Sequence, residues 1–230
     1  MKVRIRFSKS GALVYIGHLD VMRYFQKLFR RADIPVKYSG GFSPHQILSF
    51  SNPLPLGMGS KGEYADVELT GVINSTEAVD RLNECSVPEI RILSFRQLPE
   101  KCENAMAAVR AARYNIKAGE DHIEDPAGSV DEILAKDDIT VLKRTKKSEK
   151  YVNIRPLIYE LAYDKASSAL NMLISSGSSD NLKPELVIEA MLKDRGSAYD
   201  MSSFDITRID QYTLIDDKLV SLGDVGKDIL

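Results

Sequence analysis

Two of the three histidines, His18 and His45, are the residues best suited to move protons, because imidazole alone titrates near neutrality without a shifted pKa. His18 has Lys9, Tyr15 and Asp20 close by in the chain. That set could serve as a general base in metal-independent RNA cleavage, or His18 could simply open a helix and bond locally. His45 follows Ser43-Pro44 and could read a base or a phosphate, or fix its own loop. Tyr38, Phe42 and Tyr64 could stack on unpaired bases, with Arg23, Lys27, Arg30, Arg31 and Lys37 supplying cations between them. Gly40 and Gly41 would allow close approach of a ligand and offer amides to phosphate. Core packing competes for the aromatics, and a bend between strands for the glycines. Arg155, in an apolar stretch before Pro156, is either a ligand contact or a partner for a buried carboxylate such as Glu63 or Asp66.

Other chemistries lack their residues. Cys85 and Cys102 are the only cysteines, too few for a disulfide scaffold or an iron–sulfur cluster, and no zinc spacing occurs. No phosphate-binding Gly-Lys-Ser/Thr loop or dinucleotide fingerprint is present. The expectation is a chain without metal or cofactor. With no signal peptide and no apolar run near 20 residues, it reads as soluble, cytoplasmic and free of membrane. Residues 1–60 hold nine cations against Asp20 and Asp33, a net +7, whereas the whole chain is −2. Such asymmetry suggests an anionic partner for the N-terminal part, most often nucleic acid, although solvated basic faces also occur.

These residues need a scaffold. Val3, Ile5 and Phe7 alternate with Lys2, Arg4 and Arg6, which predicts a strand with one apolar and one positive face. A basic amphipathic helix follows from about His18 to Asp33, with Leu19, Met22, Phe25, Phe29 and Ala32 toward the core. Extended segments are expected at Val36–Tyr38, Gln46–Phe50 and Tyr64–Leu69, then a helix capped near Ser75-Thr76 and a strand Glu89–Phe95. This order is that of a ferredoxin-like βαββαβ unit. The second half partly repeats it, with strands at Tyr114–Lys117, Ile139–Lys143, Tyr151–Ile154, Leu157–Tyr163, Leu170–Ile174 and Asp205–Tyr212. Its helix runs from Pro184 to Lys193. Gly119–Ser129 reads as an exposed acidic loop and Lys143–Lys150 as a charged hairpin turn. The fold class expected is α+β, tandem ferredoxin-like with antiparallel sheets, divided into a basic unit 1–100 and an elaborated unit 101–230.

The segments R-I-R-F-S-K-S-G, G-H-L-D-V-M-R, Y-S-G-G-F-S-P-H, P-L-P-L-G and E-Y, all before Leu69, resemble the radical-SAM-linked protein family, a bacterial domain of unknown function. N-I-R-P-L-I (153–158) and I-T-R (206–208) are similar to its weaker C-terminal motifs. The resemblance implies a radical-SAM protein as partner and work on RNA or in translation, with transfer or ribosomal RNA among the candidates, and brings no catalytic residues with it. The expected function is an accessory RNA-binding or adaptor protein that is not itself an enzyme. The alternatives are a metal-independent RNA-processing or RNA-modifying enzyme and a pure protein-interaction partner.

Overall fold

The computed structural model describes residues 1–118, 123, 125–144, 149–177, 180–194 and 200–230. It is a mixed α+β structure whose strand pairings are antiparallel where their register is defined. The chain divides into two compact units, one formed by Met1–Arg110 with Arg208–Leu230 and the other by Ala111–Thr207. These bounds differ from the expected units 1–100 and 101–230. Return of the last 23 residues to the first unit rests on long-range pairing that local periodicity does not carry.

In the first unit β1 (Lys2–Lys9) is followed by α1 (His18–Arg31), β2 (Leu48–Phe50), β3 (Gly59–Glu68), α2 (Ser75–Cys85) and β4 (Ile90–Gln97). β1 lies between β3 and β4, and β2 pairs with β3. Val36 and Tyr38 form only isolated bridges, to Leu69 and Gln46, where a strand was expected. α1 forms because Val21, Phe25, Leu28 and Phe29 recur at helical spacing and are all buried. Leu19, expected in the core, is 60 % exposed. At 100° per residue it lies roughly 130° from the middle of that buried stripe. α2 is capped by Asn74, whose side chain accepts from the Thr76 and Glu77 amides. Both helices cover the sheet face carrying Val3, Ile5, Phe7, Ala65 and Val67.

The opposite face of β1 is not the positive surface its alternation suggests. Arg4 is fully buried and forks onto Asp66 directly across on β3, at 2.8 and 3.0 Å. The same carboxylate accepts from the Ala105 amide at 2.8 Å, at the start of the short helix α3 (Ala105–Ala108). Arg6 is 3.6 Å from Asp210. Carboxylates from elsewhere in the chain therefore neutralise this row, and much of the N-terminal charge excess is internal.

The second unit contains β5 (Ala111–Ala118), α4 (Pro126–Leu134), β6 (Thr140–Arg144), β7 (Glu149–Asn153), β8 (Ile158–Asp164), β9 (Ala169–Ser175) and α5 (Pro184–Asp194). β9 pairs with β5 and β8, while β6 and β7 form a separate two-stranded ribbon. The expected loop at 119–129 overlaps α4. Asp125 caps that helix through the Gly128 amide at 3.1 Å, Pro126 takes its first turn, and Val130 and Ile133 are buried. Residues 119–122 and 124, and 145–148 of the expected hairpin turn, lie outside the described residues.

β10 (Phe204–Ile215) starts in the second unit and continues from Arg208 in the first, where β11 (Lys218–Ser221) pairs with it and β12 (Lys227–Asp228) pairs with β4. Gly62 marks where β3 meets β10. A Cβ there would stand 2.6 Å from the Ile209 carbonyl oxygen and 2.7 Å from the Asp210 Cα. Both neighbours are backbone, so Gly62→Ala should destabilise the protein by about 1–3 kcal/mol, read from urea unfolding. Wild-type stability in that variant would show that the two strands can separate at no cost. Among the described residues no helix is long and apolar enough to cross a membrane.

Candidate functional site

The alternation of β1 runs one step past its apolar residues, and that step is chemical. After Val3, Ile5 and Phe7, the next inward position is Lys9, which is only 3 % exposed. On β3 the inward row Val67, Ala65 ends correspondingly in Glu63. A small cavity of about 20 Å3 opens where the rows end, lined by Lys9, Glu63, His18, Phe50, Ser51, Asn52, Pro53 and Leu54, among others. This is room for about one water molecule. His18, the first residue of α1, stands edge-on to Phe50 at 5.5 Å, and Phe50 packs on Phe25 at the same distance. Among the described residues the His18 ring nitrogens have no hydrogen-bond partner.

Glu63 is held from the far end of the chain. Arg208 donates from Nε to Glu63 Oε1 at 2.7 Å, from Nη2 to Oε2, and from Nη2 to the Asn52 carbonyl at 2.8 Å. The Ser60 hydroxyl donates to Oε1 at 2.6 Å and accepts from the Gly62 amide at 3.1 Å. Both Glu63 oxygens are thus engaged, which leaves this carboxylate as a structural partner of Arg208. Lys9 Nζ donates to the Ile16 carbonyl at 3.0 Å. Burial lowers its pKa, Glu63 opposes that shift, and Arg208 adds to it. A partly desolvated amine and an unpaired imidazole thus share one cavity, an arrangement capable of proton transfer or of binding a small polar group.

The sign of the Lys9 effect is testable. Its folded pKa lies below the unfolded value of 10.5, so across the interval between them the unfolded chain binds more protons and stability rises with pH. Wild type should gain on Lys9→Met as pH climbs from neutrality toward 10.5, measured by urea unfolding of both proteins. Parallel curves would mean that Lys9 is solvated.

A second assembly lies on the surface of the same unit. Leu19, Arg23, Lys27 and Arg30 succeed one another at spacings of four, four and three along the outer face of α1, all exposed. Arg23 has only an exposed 3.5 Å contact with Asp20. Arg31 is committed elsewhere, donating to the Cys85 carbonyl at 3.1 Å and standing over the Tyr24 ring. Lys37 pairs with Glu68 at 3.0 Å. From Lys37 to Ile47 the chain makes a narrow excursion, closed by the Ile47 amide to the Lys37 carbonyl at 2.9 Å and the Ser39 amide to the His45 carbonyl at 2.8 Å. Gly41 turns its tip with φ +96°, open space surrounds Gly40 and Gly41, and Phe42 is wholly exposed. His45 Nδ1 meets Ser39 Oγ at 2.9 Å. Gln46 fastens this excursion to α1, its amide donating to the Gln26 carbonyl and to the Tyr38 hydroxyl, each at 3.3 Å.

Of the residues expected at a site, Arg23, Lys27 and Arg30 are exposed on α1, and Tyr38, Gly40, Gly41, Phe42 and His45 lie on the excursion that Gln46 ties to that helix, while others lie elsewhere. Tyr64 is fully buried, bonded to Asp210 and 3.3 Å from Ser221 Oγ, its pKa pushed upward by burial and the Asp210 charge. Arg155 lies in the second unit and donates to the Leu134 and Ile158 carbonyls at 3.4 and 3.5 Å. Glu63 and Asp66, offered as its partners, take Arg208 and Arg4. Residues 2–184 match the model of a family described as an uncharacterized protein conserved in bacteria (DUF2344). The chain belongs to that family. No curated protein matches it. The DUF2344 stretch contains Lys9, His18, Asn52 and Glu63 and stops before Arg208. Sequence reasoning does not reach Glu63 and Arg208 as a pair, although each sits in a segment that carries the resemblance, E-Y and I-T-R.

Proposed function

We propose that this protein is an accessory RNA-binding protein that works beside a radical-SAM enzyme. The observation that carries the RNA reading is the exposed ridge Arg23, Lys27, Arg30, joined through Gln46 to an excursion tipped by the wholly exposed Phe42. Cations that follow a backbone beside an aromatic that stacks on a base are what loops and single strands of RNA require. The radical-SAM partner rests on the resemblance of the N-terminal motifs. The order β4-β1-β3-β2 in the first unit supports reading that unit as ferredoxin-like, a fold that by itself assigns no activity. The test is fluorescence anisotropy with single-stranded and structured RNAs across a salt series. Absence of binding at low salt would turn the ridge into a protein-docking surface.

A further inference from the structure

The second unit holds a larger recess that the RNA reading does not use. A groove of about 630 Å3 runs between β6 and α5, within the size range of ligand-binding clefts. One wall is made of Ile139 and, in β6, Thr140, Val141, Leu142 and Lys143 without a gap. Successive strand residues point to opposite faces, so a wall containing every one of them is the edge of the strand. β7 occupies the other edge.

The phase of the ladder shows which backbone groups face the groove. The Ile154 amide donates to the Ile139 carbonyl at 2.9 Å, so in the 140↔153 register Val141 and Lys143 exchange bonds with β7. Thr140 and Leu142 then direct amide and carbonyl outward, and among the described residues no backbone group takes them up. Across the groove α5 presents Leu186 and Ala190. Glu185, also on this wall, has a buried carboxylate oxygen without a hydrogen-bond donor among the described residues. An open strand edge, two apolar side chains set among charged ones, and an unsatisfied acceptor occur together, a mixture that suits a peptide of alternating apolar and polar residues.

We propose that this groove binds an extended segment of a partner protein, which adds as a strand to the edge of β6. The segment pairs with Thr140 and Leu142 through its backbone. Apolar side chains on alternate residues meet Leu186 and Ala190, and a cationic or hydroxyl side chain donates to Glu185.

A phage-displayed library of random linear peptides, selected on the full-length protein, tests the assignment. Enriched peptides should alternate apolar residues, carry a basic or hydroxyl residue, and fail to bind Ala190→Trp, which fills the groove. A synthetic copy of the best peptide, N-methylated at the residues facing β6, should lose affinity for wild type by at least about tenfold with its side chains unchanged, because only strand pairing needs those amides. That arm does not depend on the variant folding. No enrichment, equal binding to Ala190→Trp when it folds, or indifference to N-methylation would overturn the proposal. So would displacement of the peptide by an RNA oligonucleotide while the N-methylated copy still binds, which would make the groove a polyanion site.

Discussion

Replacing Arg208 with alanine is expected to destabilise the first unit by about 3–5 kcal/mol, the cost of stripping one partner from a buried ion pair. Arg208 is 2 % exposed and makes a forked contact with Glu63, and the same guanidinium holds the Asn52 carbonyl. Its removal leaves the Glu63 carboxylate buried with the Ser60 hydroxyl and takes a donor from the Asn52 carbonyl at the cavity wall. For a protein of this length the loss corresponds to a melting point lower by roughly 6–20 °C. Arg208→Met with Glu63→Leu should recover most of it, because a buried pair replaced by apolar residues of similar volume is often neutral. Urea unfolding of the single and double variants reads both effects. A single variant within about 1 kcal/mol of wild type would mean that the pair is hydrated and that the C-terminal residues do not secure the site.

Reversing Arg23, Lys27 and Arg30 together to glutamate should abolish RNA binding at physiological salt while leaving the fold intact. All three are exposed and apart from the buried stripe of α1. Removing one cation from a phosphate reduces the steepness of log affinity against log salt by about one, so the triple variant should lose roughly three from the slope and bind with little salt dependence. Arg31 is kept, since its bond to the Cys85 carbonyl and its place over Tyr24 tie α1 to α2, and its loss would mix folding with binding. Phe42→Ala should instead weaken binding by about 1–3 kcal/mol with the slope unchanged, because stacking is uncharged. Unaltered affinity in the triple variant would remove the ridge from the interface.

Much of the scaffold was legible because it rests on local rules. Alternation at Lys2–Phe7, the helical stripe in 18–32 and Pro184 at a first helical position each need only a few neighbouring residues, and all three elements are present. α4 was hidden because glycine, aspartate and proline at 125–128 read as loop, whereas Asp125 and Pro126 are a cap and a first-turn residue. Leu19 was placed in the core because an apolar residue at helical spacing looks buried until the centre of the stripe is known.

The sequence alone determined elements such as β1, α1 and α5 and that cations cluster in the first 60 residues, since periodicity, capping and charge count are properties of short segments. Which of those cations reach solvent was decided only by the tertiary structure. Register sets Arg4 against Asp66, and chain return sets Arg208, 145 positions away, against Glu63. A buried ion pair depends on the approach of distant backbones, and no local pattern records that approach. The same approach leaves Lys9 desolvated beside His18 and leaves Arg23, Lys27 and Arg30 in water.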